Sequence, residues 1–211
     1  MTQLDLAAGL LEVGAVRLSP RDPFTWASGL KAPIYCDNRQ LLGDPALRSQ
    51  IVEALAQRAS EVSPTLIAGT STAGIPWAAL VADRLNLPMS YVRPEPKKHG
   101  MGRQVEGPNT QGHRVVLLED LISTGGSSLK CVEGLRAEGA EVLEILALFS
   151  YGLPVAEAAF VASNVPLRVL ATFDELAQRA EAKGILVGDD RASLGEWRRD
   201  AGAWSKARGG A

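Results

Sequence analysis

From Thr65 onward the sequence alternates short apolar runs with longer segments of helical periodicity, and this alternation most constrains the fold. Parallel strands must be joined by crossovers of a dozen or more residues, which are usually helices. Strands that alternate with helices therefore predict an α/β fold with a mostly parallel central sheet flanked by helices. The apolar runs predicted as strands are 66–69, 89–93, 114–119, 142–149 and 165–171.

The N-terminal part of the chain has a different pattern. Segment 24–35 mixes aromatic and branched residues around Ser28-Gly29, which predicts two short strands and a turn that form a lid over the core. Asp44-Pro45 places a capping residue and a proline at the start of a helix. The segments predicted as helices are 4–14, 44–59, 75–85, 127–138, 173–183 and 193–204.

Length and composition narrow the class of protein. A chain of 211 residues with 46% hydrophobic and 22% charged residues suits one globular domain. The formal net charge of −2 provides no overall basic field, so we expect neither nucleic acid nor an anionic membrane as a partner. Two cysteines without CxxC spacing, and no apolar run near the roughly 18 residues of a membrane span, predict a cytoplasmic protein.

The stretch 115–128 combines an apolar strand with polar chemistry. Glu119 and Asp120 follow the apolar run, at the sheet edge where α/β proteins bind ligands, and adjacent carboxylates there can accept hydrogen bonds from the vicinal diol of a ribose. Segment 124–127 then predicts a turn whose N–H groups bind phosphate at a helix start. The alternative is structural, with Asp120 in a turn and Thr124 or Ser127 as an ordinary helix cap. The acids directly before the glycines favour the ligand site.

Segment 94–112 is glycine-rich and basic, and it contains Lys97, Lys98, His99 and Arg103. Loops of this length in a compact α/β domain are usually functional or disordered. The alternative is a solvated surface loop whose basic residues have no role.

Segment 118–127, Leu-Glu-Asp-Leu-Ile-Ser-Thr-Gly-Gly-Ser, resembles the phosphoribosyl pyrophosphate signature of the type I phosphoribosyltransferases. The sequence of this segment is most similar to that of the orotate members of the family. Segments 28–39, 72–76 and 91–107 resemble the same members, in the same order, so the resemblance covers nearly the whole chain. It implies the type I phosphoribosyltransferase fold as a single domain, 1–211. The core would be about 41–170, the hood about 1–40 plus the C-terminal part, and the mobile catalytic loop 94–112.

The resemblance also implies roles for individual residues. Arg93, Lys97 and His99 would be catalytic and would meet the pyrophosphate, while Ser123 and Lys31 would bind orotate. Magnesium would be held mainly by substrate oxygens, with no dedicated protein ligands. The residues implied to bind phosphoribosyl pyrophosphate are Arg93, Lys97, His99, Glu119, Asp120, Leu121, Ile122, Ser123, Thr124, Gly125, Gly126 and Ser127.

The implied activity is Mg²⁺-dependent transfer of ribose 5-phosphate from phosphoribosyl pyrophosphate to orotate, in a homodimer whose loop closes over the partner's active site. Two departures bear on it: Ala73 and Pro94 stand where some relatives carry basic residues, and segment 149–152 lacks the arginine that meets the substrate carboxylate in others. Two alternatives are a purine phosphoribosyltransferase and a regulator of the same fold that binds nucleic acid. The net charge and the lack of an added helix-turn-helix segment count against the regulator.

Overall fold

The computed structural model of the protein describes residues 4–26, 28–95 and 104–211. The strands are β1 Val16–Leu18, β2 Phe24–Thr25, β3 Lys31–Ala32, β4 Ile34–Cys36, β5 Leu66–Thr70, β6 Met89–Val92, β7 Val105–Glu106, β8 Arg114–Ile122, β9 Glu141–Ser150 and β10 Leu167–Thr172. The helices are α1 Leu6–Glu12, α2 Pro45–Ser60, α3 Gly74–Leu85, α4 Gly126–Ala137, α5 Pro154–Ser163, α6 Phe173–Ala182, α7 Asp190–Arg199 and α8 Ala201–Lys206, with a 3₁₀ helix at Asn38–Gly43.

The central sheet has six strands in the order β10-β9-β8-β5-β6-β7. Its neighbours are parallel except at the edge, where β7 pairs antiparallel to β6. The predicted α/β fold with a mostly parallel sheet is therefore confirmed. Both β5 and β8 lie in the interior of the sheet, and both are almost completely buried, as continuous apolar strands covered on two faces should be.

Two hydrophobic clusters cover the two faces of the sheet. Alternate residues of β8 enter different clusters: Val116 and Leu118 join one, and Val115 and Leu117 join the other. The first cluster includes side chains of α2, α3 and α6 together with the N- and C-terminal segments. The second is formed with α4 and α5. Because β8 is anchored on both faces, the residues at its C-terminal end have fixed positions.

The N-terminal strands form two small antiparallel sheets, β1 with β4 and β2 with β3; within the hood implied by the sequence, we keep the name hood for these strands alone. The C-terminal helices hold the hood in place. The backbone N–H of Lys31 donates to Ser205 Oγ at 2.8 Å, and Arg21 pairs with Asp190 at 2.9 Å. The ring of Trp26 also stacks on Tyr151, with centroids 6.1 Å apart. Hood, C-terminal helices and the end of β9 therefore meet in one packed region.

The structure differs from the sequence prediction at several elements. Helix α5 was not predicted, although Pro154 in its first turn and the left-handed Asn164 at its end are ordinary helix boundaries. The single helix predicted over 193–204 is two helices, because Asp200 is extended and caps the second one through the N–H of Ala203. Within the predicted loop 94–112, β7 forms an edge strand in which Val105 is buried.

Strand β8 continues to Ile122, beyond the predicted end at Glu119. Its pairing with β5 stops at Leu118, whereas its pairing with β9 continues to Ile122. The last four residues of β8 therefore have a neighbouring strand on one side only. Asp120 is thus part of a strand rather than a turn, which contradicts the structural alternative for that residue.

Other expectations concern isolated residues and the membrane. Cys36 and Cys131 are both free thiols. Trp77, Trp197 and Trp204 are all buried in the first cluster. Within residues 4–26, 28–95 and 104–211, the helices are all too short or too polar to cross a bilayer.

Candidate active site

The buried carboxylate of Glu119 is held by groups from three elements. Its Oε1 accepts the hydroxyl of Thr70 at 2.6 Å, and its Oε2 accepts the hydroxyl of Ser128 at 2.7 Å. The backbone N–H of Asp120 donates to Oε1 as well, at 3.1 Å. Only 6% of Glu119 is exposed, so these donors replace the water that a carboxylate needs. Glu119 thereby connects the end of β5, the end of β8 and the first turn of α4.

Asp120 is only partly buried and has a different environment. Its backbone carbonyl accepts a hydrogen bond from the side-chain amide of Asn38 at 2.6 Å. Burial, followed by the charge of Glu119, raises the pKa of Asp120 from 3.8 to about 7. Asp120 therefore exchanges its proton near neutral pH, which is typical of carboxyls at functional sites.

The start of α4 forms the predicted anion cradle. Gly125 precedes the helix in the left-handed conformation, and no side chain caps the helix. Gly125 occupies the cap position and no side chain makes a capping hydrogen bond, so neither Thr124 nor Ser127 is the ordinary cap that the structural alternative required. The N–H groups of the first turn thus remain available to an anion, which the helix dipole also favours.

Different structural constraints explain why Gly125 and Gly126 of the cradle are glycines. A side chain on Gly125 would meet the ring of Phe160 at 2.7 Å and would be strained at φ +79°. Gly126 faces open space, since the nearest atom to an added Cβ would be the Thr124 hydroxyl at 4.0 Å. The first glycine therefore permits the turn and its packing on α5, whereas the second leaves room for a ligand to approach the backbone.

Between the acid pair and the cradle, successive residues are half-buried, buried and half-buried. Ile122 is buried in the second cluster, so only its backbone could contact a ligand at this point. Its carbonyl accepts the N–H of Tyr151 at 3.0 Å. Leu121 and Ser123 are half-buried. Ser123 lies between β8 and the cradle, where it was predicted to meet the base.

The structure describes only some of the basic residues that were predicted for the site. Arg93 directly follows β6, and its backbone N–H donates to Gln104 at 3.0 Å. Its Nε lies 3.7 Å from Glu106 and makes no hydrogen bond. Lys31 is in β3 of the hood, with its side chain half-buried. Lys97 and His99, predicted as catalytic, lie outside the described residues.

Several residues of the site were not assigned a role from the sequence. Thr70 and Ser128 hold Glu119, and Asn38 holds the backbone of Asp120. The side-chain oxygen Oδ1 of Asn38 also accepts a hydrogen bond from the thiol of Cys36 at 3.1 Å, which joins the hood to this network. Ser128 directly follows the quoted motif, at the end of the stretch 115–128, and could have been recognised. Asn38 is 82 positions from Asp120, so local pattern gives no signal for that contact.

Comparison with known proteins agrees with this geometry. Residues 38–168 match the family model of the phosphoribosyl transferase domain. The orotate phosphoribosyltransferase of Listeria innocua is 51% identical to the chain, over 95% of this chain and 97% of its own length. That of Bacillus caldolyticus is 50% identical over 95% and 98%. The crystal structure of the orotate phosphoribosyltransferase from Aeropyrum pernix superposes with a TM-score of 0.74 at 36% identity, over 86% of this chain and 99% of that one.

The chain thus combines this fold, acid pair and uncapped helix start with sequence similarity to relatives that it matches over nearly their whole length. The chain therefore belongs to the phosphoribosyltransferase family and, within it, to the orotate phosphoribosyltransferases.

Proposed function

We propose that the protein is an orotate phosphoribosyltransferase, which transfers ribose 5-phosphate from phosphoribosyl pyrophosphate to orotate and releases pyrophosphate in the synthesis of pyrimidine nucleotides. The observation that carries this proposal is the arrangement at the end of β8, where an acid pair stands a few residues before the uncapped start of α4. Sugar hydroxyls need acceptors and a phosphate needs N–H donors, and the two sets lie five residues apart in this segment. The names of the close relatives support the choice of orotate.

Ribose and phosphate would bind to neighbouring parts of this segment. Asp120, when ionised, would accept hydrogen bonds from the 2- and 3-hydroxyls. Oε1 of Glu119 already accepts the Thr70 hydroxyl and the Asp120 N–H, but Oε2 accepts only the Ser128 hydroxyl and has a second lone pair that can accept a ribose hydroxyl. Segment 124–127 would bind the 5-phosphate through backbone N–H groups and hydroxyls. The anomeric carbon would then be held at a fixed distance from both anchors.

The departing pyrophosphate would be met by basic side chains. Nitrogen attack at the anomeric carbon passes through a transition state with oxocarbenium character, and negative charge grows on the leaving group. Arg93 stands at the end of β6, next to the end of β5, where its charge can act on that group. Lys97 and His99 are proposed for the same role from the sequence. Lys31 and Ser123 are proposed to bind orotate.

Magnesium is the proposed cofactor, and the described residues fit a metal held mainly by the substrate. They contain no cluster of three or more candidate ligands, while Mg²⁺ in proteins is commonly bound through one or two carboxylates and substrate phosphates. Asp120 is the residue best placed to contribute such a carboxylate. When bound, the ion would neutralise charge on the pyrophosphate oxygens.

The proposal includes a cytoplasmic homodimer in which the loop acts across the interface. The two unpaired thiols support a reducing compartment. No nucleic acid or membrane is proposed as a partner, and the net charge of −2 supports this.

A spectrophotometric assay tests the activity. The purified protein with phosphoribosyl pyrophosphate and Mg²⁺ should consume orotate, while adenine, hypoxanthine and uracil in parallel reactions should not be consumed. Asp120→Asn should weaken binding of phosphoribosyl pyrophosphate in calorimetry, because amide nitrogen cannot accept the hydroxyl protons. Turnover of another base without orotate consumption would overturn the substrate assignment.

A further inference from the structure

Tyr151 lies directly after β9 at the edge of the sheet that carries the acid pair, and it has no role in the function proposed above. Its ring is surrounded by aromatic neighbours: it stacks on Trp26 at 6.1 Å, and Phe149 and Trp197 contact it edge-on at 5.7 and 5.4 Å. Only 3% of the residue is exposed. These contacts fix the direction of its hydroxyl, because a ring held on three sides cannot rotate away.

The hydroxyl of Tyr151 has no hydrogen-bond partner in the described part of the chain. A buried tyrosine usually finds such a partner, since an unpaired hydroxyl away from water costs free energy. This unpaired hydroxyl oxygen is not one of the fully buried polar atoms of the described residues, so part of its surface is accessible. The small exposed part of this residue thus includes a polar atom that is open to a ligand.

The surroundings of Tyr151 place its hydroxyl at the base side of the site. Burial, followed by the charges of Cys36 in the hood, Asp120 in β8 and Tyr35 in the hood, raises the pKa of Tyr151. The hydroxyl therefore stays protonated and can donate. Tyr151 belongs to the cluster on the hood side of the sheet, whereas Phe160, which contacts the phosphate cradle at Gly125, belongs to the opposite cluster.

We propose that Tyr151 is a specificity residue whose hydroxyl donates a hydrogen bond to an oxygen of the pyrimidine substrate. This inference rests on the proposed function, because it assigns a further contact to the same site. Orotate offers two ring carbonyls and a carboxylate as acceptors, whereas adenine has no oxygen and hypoxanthine has a single ring carbonyl and no carboxylate. The neighbouring carboxylate of Asp120 repels a second acidic group on the hood side. A hydrogen bond from the Tyr151 hydroxyl to the acidic group of the substrate would offset this repulsion.

The test is Tyr151→Phe, which removes one oxygen and keeps the ring packing. We expect kcat/KM for orotate to fall about 10- to 100-fold, because the lost hydrogen bond is to a charged or polar oxygen. The KM for phosphoribosyl pyrophosphate and the melting temperature should remain near those of the unaltered protein. The matched control is Tyr91→Phe, which removes the same atom from β6, and its kinetics with orotate should be unchanged.

Competition by uracil, which lacks the carboxylate, identifies the oxygen. Unchanged uracil inhibition in Tyr151→Phe would assign the hydrogen bond to the carboxylate, and weakened inhibition would assign it to a ring carbonyl. Unaltered orotate kinetics in this variant, or an effect only on phosphoribosyl pyrophosphate, would overturn the inference. Failure of the unaltered protein to use orotate would instead overturn the proposed function, so the two failures are distinguishable.

Discussion

At the scale of single residues, the two adjacent acids of β8 are adapted to different tasks. Alternation along a strand turns neighbouring side chains to opposite sides, so Glu119 meets hydroxyls of β5 and α4, while Asp120 remains partly exposed beside the hood. Glu119 is satisfied by donors in the protein itself. Burial and, after it, the charge of Glu119 raise the pKa of Asp120, and a bound cation or hydrogen-bond donor can offset both effects.

The raised pKa of Asp120 leads to a prediction about stability. The pKa of Asp120 is about 7 in the folded protein and near its ordinary 3.8 in the unfolded chain, so the folded state binds more protons between these values. Stability should therefore fall as pH rises from about 4 to about 7. Asp120→Asn should raise the free energy of unfolding at pH 8 by roughly 1–3 kcal/mol, with the gain disappearing near pH 4.

Guanidinium unfolding of the unliganded protein at several pH values measures this effect. Asp83→Asn, which removes a carboxylate from the exposed side of α3, is the control and should change stability little at either end of the range. A stability gain that is independent of pH would contradict the raised pKa.

The acid pair and the cradle could be predicted from the sequence because their chemistry is contiguous, from Glu119 to Ser127. The contacts that position them could not, since Thr70 and Asn38 reach β8 from 49 and 82 positions away. Sequence periodicity describes which face of an element is buried, but it does not identify the partner across the sheet.

At the scale of elements, the same limit explains which strands and helices were predicted. The long parallel strands are apolar runs that the local sequence displays, and β5, β6, β8, β9 and β10 were all predicted. The two-residue strand β7 exists only because it pairs with β6. Helix α5 was missed because its apolar residues are not confined to one side, and Val155 and Val161 are exposed.

The close contact of α3 with β8 provides a prediction at this scale. Gly74 begins α3, and an added Cβ there would meet the carbonyl of Leu118 and, at 2.5 Å, the hydroxyl of Thr70. Gly74→Ala should therefore push α3 away from the sheet, destabilise the protein by about 1–3 kcal/mol and displace the hydroxyl that holds Glu119. Urea unfolding and the orotate assay measure the two consequences.

Gly195→Ala is the matched control, because Gly195 lies within α7 and nothing lies within 4 Å of its added Cβ. Alanine is the better helix former, so this change should stabilise the protein slightly, by up to about 1 kcal/mol. If Gly74→Ala behaved like the control, α3 would not pack on β8 as closely as described.

At the scale of the whole molecule, the two ends of the chain complete the site. The ion pair of Arg21 with Asp190 and the hydrogen bond from Lys31 to Ser205 join positions 169 and 174 residues apart. The hood is too small to fold by itself, since two-stranded sheets are marginal in water. Its place above β8 therefore depends on α7, α8 and the aromatic side chains between them.

The proposed homodimer leads to a prediction about the two active sites of one dimer. Lys97→Ala removes a proposed loop residue, and Asp120→Asn removes a proposed ribose acceptor, so each variant alone should have little activity. If the loop acts across a twofold interface, a mixed dimer contains one site with Asp120 from one subunit and Lys97 from the other. Random mixing of subunits should then restore about a quarter of the unaltered activity.

The experiment requires co-expression or joint refolding of the two variants, followed by light scattering to establish that dimers are present. Each variant refolded alone serves as the baseline. If Lys97 served the site of its own subunit, every site in the mixed dimer would lack one of the two residues, and activity would remain at that baseline. Recovery of activity thus depends on the loop crossing the interface, because no rearrangement within a single subunit can unite the two intact residues.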